Sequence, residues 1–115
     1  MDGRPQRKVA DYLTTSFGVR HLDTITTAGM VRHLAEDTDH TPMVLANLET
    51  SVRDHGSRRI AVVAHHDCAA NPVSDKTQRQ QLAEAAARLR RLYPDHEVVA
   101  LWLNQQWIVE RMRTG

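Results

Sequence analysis

The sequence predicts an α/β fold, a short and mostly parallel sheet flanked by helices in three layers. Three observations carry that expectation. Ile60-Ala61-Val62-Val63-Ala64 is an unbroken apolar run, as a strand buried on both faces requires. Glu97 to Leu103, EVVALWL, is a second such run. Between them Leu82, Ala85, Ala86, Leu89 and Leu92 recur at helical spacing, and strands separated by helices join as parallel crossovers.

The other elements follow in order. Pro5 suits the first turn of a helix whose apolar positions are Val9, Tyr12, Leu13 and Phe17, stopped by Gly18. Val19 to Thr27, with Leu22 and Ile25 among threonines, reads as a short strand. Ala28-Gly29 turns the chain into a brief helix carrying Met30, Val31 and Leu34, and Asp37 to His40 is a polar loop. Thr41-Pro42 opens a helix with Leu45, Leu48 and Val52 inward, and Gly56 ends it. Ser74 or Asp75 caps the long helix, with Asp75 and Gln78 spaced as a capping box, and Pro94 bars its continuation. Gln105 to Met112 is expected to be a final helix with Trp107, Ile108 and Met112 facing in. No strand precedes the Pro5 helix, although such a fold normally enters its first helix from one. The sheet is therefore expected to lack its first strand.

With 115 residues the chain fits one domain, 1–115. A hydrophobic share of 41% and a charged share of 25% are those of a soluble globular chain. A net charge of +1 gives no electrostatic support for nucleic-acid or membrane binding. The single cysteine excludes an internal disulfide and suits a reducing compartment, so a cytoplasmic location is expected. No apolar run approaches the roughly 20 residues of a membrane span, and MDGRPQRK lacks the apolar core of a secretory signal.

The chemistry-bearing residues gather at the end of the central strand. His65-His66-Asp67-Cys68 follows Ala64 directly, and ligands in open α/β sheets sit at the carboxyl ends of strands. His65 and Cys68, three apart on a turn, can aim an imidazole nitrogen and a thiolate at one point, half of a zinc site. The bland alternative stays open, since buried free cysteines and hydrogen-bonded strand-end histidines are common. His66 reads as a surface or supporting residue rather than a ligand. Arg88, Arg90 and Arg91 complement a helix dipole, and Trp102 and Trp107 read as core or subunit-interface residues.

AHHDCAA at 64–70 resembles the G-H-x-x-C-G segment of β-class carbonic anhydrases, with Ala64 and Ala69 in place of the glycines. Met1-Asp2-Gly3-Arg4 is similar to the latter part of that family's C-x-D-x-R motif, and Ala28-Gly29 matches its Ala-Gly after a strand. The helix with Leu45, Leu48, Glu49 and Val52 resembles the one leading into the metal-loop strand. The match is closest to a compact carbonic-anhydrase-like group carrying C-M-D-G-R at the front and H-H-D-C-x-x-N-P-V in the middle, and it covers most of the chain.

The resemblance implies a zinc lyase interconverting carbon dioxide and bicarbonate, or hydrating a related small substrate. Two cysteines and a histidine hold the metal in that family, and a water ionised near pH 7 attacks the substrate. By position His65 and Cys68 would be ligands, and Asp2 and Arg4 the Asp–Arg dyad that orients the attacking oxygen. One departure stands out: the first cysteine ligand would fall one place before Met1. The missing cysteine and the missing strand share one end, which suggests a native chain starting upstream. Zn2+ binding is accordingly expected to be weak or absent without that ligand. The alternative is a catalytically inactive relative that binds a small anion or a protein partner. The family pattern also implies a homodimer or a higher homo-oligomer.

Overall fold

The chain runs α1 (Gly3–Phe17), α2 (Met30–Ala35), α3 (Thr41–Asp54), β1 (Arg59–His65), α4 (Asp75–Leu92), β2 (Glu97–Leu103) and β3 (Val109–Met112). The structure is a computed structural model and describes residues 3–19 and 22–112. The strand order is β1-β2-β3. β1 and β2 are parallel, from Arg59 opposite Glu97 to His65 opposite Leu103. β2 and β3 are antiparallel, from Ala100 opposite Met112 to Leu103 opposite Val109.

The two-residue period of the strands sorts their side chains into two cores. Ile60, Val62 and Ala64 join Val98, Ala100 and Trp102 on one face. That face meets Leu82, Ala85, Ala86 and Leu89 of α4, with Val31, Leu34, Val44 and Leu48 of α2 and α3 beyond. On the other face Ala61, Val63, Val99 and Leu101 lie under Val9, Tyr12, Leu13 and Phe17 of α1. Helices therefore cover both faces of the sheet, as the apolar runs predict, and the antiparallel β3 makes it mixed. At the helix ends Tyr93 donates to Glu49 Oε2 (2.6 Å), tying α4 to α3. Burial, then that bond, pushes its phenol up to about 12.

Three local expectations are corrected. The described part of 19–27 is not a strand, while Arg20 and His21 lie outside the described residues. Asp23 accepts bonds from Ser51 Oγ (2.7 Å) and His55 Nδ1 (2.6 Å), and Ile25 rests on the helix-side core, so side chains hold this segment. Among the described residues it forms no ladder with β1. His66 N donates to Leu103 O and Glu97 N to Arg58 O, so the even-numbered residues of β1 turn their backbone groups to β2. Ala61 and Val63 point theirs to the opposite edge, where no backbone bond from the described residues reaches them.

The final helix expected at 105–112 is instead a hairpin and a strand. Asn104 Oδ1 accepts the backbone N–H of Gln106 (2.9 Å) and Ile108 (3.1 Å), and Trp107 N donates to Asn104 O (2.9 Å). The chain reverses there, β3 pairs with β2, and Ile108 ends 60% exposed rather than inward. The Asp75–Gln78 capping box is also absent. Ser74 Oγ accepts from Thr77 N (3.2 Å), making Ser74 the cap, and the buried Gln78 donates to Asn71 O (3.2 Å).

The Asp23–His55 pair gives stability a specific pH dependence. The bond from His55, then that from Ser51, holds the Asp23 carboxyl below its ordinary value. The bond to Asp23, then its charge, raises the His55 imidazole. The carboxylate's contribution is present above about pH 4 and lost as pH falls through its lowered folded value. The imidazole's is complete below about pH 6.5 and lost as pH rises through its raised one. Thermal melts of the wild type and His55→Gln should therefore differ most near pH 5–6 and converge at pH 9; a constant difference would contradict the pairing.

Candidate functional site

The site grows out of the end of β1. His66 N still donates to Leu103 O (2.9 Å), so pairing with β2 persists one residue past the strand. Asp67 then adopts φ +58, a left-handed turn that aspartate tolerates better than most residues. Asn71 N donates to Cys68 O (3.2 Å) and closes the next turn. Asn71 itself is buried, donates from Nδ2 to Gln81 Oε1 (2.7 Å) and accepts from Gln78 at its carbonyl. α4 therefore anchors the loop that carries the thiol.

The side chains on this turn take up three environments. His65 Nδ1 lies 2.8 Å from the His66 carbonyl. A carbonyl only accepts, so Nδ1 carries a proton. The His65 ring stands 5.9 Å from that of Trp107. His66 Nδ1 donates to Asp75, 2.9 and 3.0 Å from its two carboxylate oxygens. Cys68, half-buried, lines an open pocket of about 590 Å³ with His66, Asp67, Asp75 and Gln105. His65 is not among the residues lining it.

Arg4 reaches the same turn from α1. Its Nη2 donates to the Asp67 carbonyl (3.0 Å) and its Nη1 to Asp67 Oδ2 (3.3 Å). The guanidinium sits 4.5 Å above the centre of the Trp107 ring. The fold thus brings Arg4, 61 residues upstream of His65 in the chain, to the turn that carries His65 and Cys68. Asp2, the other predicted member of the dyad, lies outside the described residues. Sequence reasoning missed Trp107, read there as a core or subunit-interface residue, and the His66–Asp75 pair, in which Asp75 orients a ring instead of capping a helix. The signal available for Asn71 was its polarity beside Pro72, with Gln78 and Gln81 three apart on one helix face.

Thiolate and imidazole are the donor chemistry of zinc, and histidines that ligate a metal commonly give their other N–H to a carbonyl or carboxylate. The donor count falls short. Among the described residues no group of three or more His, Cys, Asp or Glu side chains is placed to hold a metal ion.

Together these features define a small α/β protein with a histidine–cysteine turn at the carboxyl end of a parallel strand, reached by an arginine from the first helix. The family model described as Putative carbonic anhydrase matches residues 1–113, and the chain belongs to that family. No curated protein and no solved structure matches it. No helix among the described residues is long and apolar enough to cross a membrane.

Proposed function

We propose that this chain is a carbonic-anhydrase-type lyase, interconverting carbon dioxide and bicarbonate or a related small substrate at the turn closing β1, with zinc as its cofactor. The observation that carries the reading is the placing of His65 and Cys68 on the turn that closes β1. His65 Nδ1 lies 2.8 Å from the His66 carbonyl, and the ring stands three residues before the only thiol of the chain, with Arg4 bonded to the Asp67 between them. Zinc, when bound, supplies the Lewis acidity that brings water within reach of deprotonation near neutral pH. The chain's own residues hold the geometry: His65 and Cys68 bind, and Arg4 fixes the turn through Asp67. A catalytic zinc takes three protein donors, so the reading requires one more from outside the described residues, where Asp2 lies, or from a second chain. A cytoplasmic homo-oligomer suits both the lone thiol and the open edge of β1.

The second reading is a non-catalytic member that binds a small anion or a protein partner. Zinc per chain and stopped-flow carbon dioxide hydration, measured on the wild type and Cys68→Ala, separate the two. The lyase reading expects about one zinc in the wild type, little in the variant, and hydration reduced by more than about 100-fold. Equal zinc in both proteins would remove Cys68 from the site. A full zinc complement without hydration would favour the binding protein.

A further inference from the structure

Two non-glycine residues among those described have positive φ, Asp67 at +58 and Trp107 at +59, and both touch Arg4. Left-handed backbone costs an L-residue roughly 1–2 kcal/mol, and a bulky aromatic is rarely found there. Such a conformation persists only where its surroundings over-determine it. The Asn104 side chain does so at one end, accepting the N–H groups on either side of Trp107. The result presents the indole face to the Arg4 guanidinium and places the ring beside His65. The same guanidinium holds the Asp67 carbonyl and carboxylate.

We propose that Trp107 is a positioning residue of this site. It donates no ligand and moves no proton. Its ring fixes Arg4 upon the Asp67 turn and walls one side of His65, so the β2–β3 hairpin sets the geometry of a turn about 40 residues earlier in the sequence. The functional weight of this role rests on the preceding proposal, whereas its structural content is independent of any metal.

The test compares Trp107→Gly, Trp107→Phe and Ile108→Ala in the full chain. Glycine suits the left-handed backbone and removes the ring; phenylalanine keeps a face for the guanidinium. Ile108, exposed on the same hairpin, is the control. Amide exchange at His66, Asp67 and Cys68 should speed up about tenfold in Trp107→Gly, with phenylalanine restoring most of the protection and Ile108→Ala leaving it unchanged. The upfield ring-current shift on the Arg4 δ-methylene protons should vanish in the glycine variant. Arg4→Ala should produce the same exchange increase, and the double variant no further one. Unchanged exchange at the turn, or additive effects of Arg4→Ala and Trp107→Gly, would overturn the proposal. Absence of zinc from the wild type would defeat the lyase reading and leave these metal-free measurements to decide the role of Trp107.

Discussion

Trp102→Ala should lower stability by about 3–5 kcal/mol, the largest effect of any single side chain in the sheet. Trp102 is 0% exposed. Its neighbours in register are Ala64 on β1 and Glu110 on β3, and its ring lies in the core shared with α4. The Arg79 guanidinium covers it at 5.0 Å from the ring centre and pairs with Glu110 Oε2 at 3.1 Å. Truncation would leave a cavity in the core between the sheet and α4, where close-packed neighbours relax only in part. It would also strand Arg79 without its aromatic partner. Small domains hold only about 5–15 kcal/mol in total, so the variant should approach the limit of folding. Urea unfolding measures this directly. Trp102→Phe should retain most of the stability, and a cost below about 1 kcal/mol for alanine would show that this core is not packed around the indole.

What the sequence made legible were the elements whose burial is one-sided or complete. β1 and β2 read as strands because residues facing both cores are apolar, and α4 because its inward positions recur every three or four residues. Two segments misled for the same physical reason. Ile108 and Met112 are four apart, as on a helix face, yet Asn104 closes a hairpin before a helical turn can form. Leu22 and Ile25 sit among β-branched residues, but a strand needs a neighbour, and Asp23 is bonded to Ser51 and His55 instead. Local pattern reports propensity; it does not report which ladder partner is available.

The site divides along the same line. His65 and Cys68 were readable as candidates because they stand three residues apart at a strand end. The contacts of Arg4 span 63 residues to Asp67, and those with Trp107 span nearly the whole sequence, so no spacing rule connects them without the fold. Family resemblance supplied Arg4 where local chemistry could not. It did not supply Trp107, whose role depends on a left-handed residue in a hairpin that pattern reading took for a helix.

Gly29→Val should cost about 2–4 kcal/mol and disturb the loop after Cys68, because two penalties meet at this position. Gly29 has φ +66, and left-handed backbone is most costly for β-branched residues. A Cβ there would also lie 3.1 Å from the Ala70 carbonyl oxygen and 3.5 Å from Asn71 Cβ. The first of these contacts is backbone and the second belongs to a residue held by Gln78 and Gln81, so neither can swing aside. Gly18 provides the comparison. It has φ +64, but a Cβ added to it would meet nothing within 4 Å. Gly18→Ala should therefore show the backbone penalty alone, roughly 1–2 kcal/mol, and Gly29→Ala should exceed it by whatever the Ala70–Asn71 contact adds. If urea midpoints fall equally for the two alanine variants, the approach of α2 to the site loop carries no energy. An excess confined to Gly29, with faster amide exchange at Cys68 and Asn71, would place the start of α2 among the elements that hold the thiol loop in position.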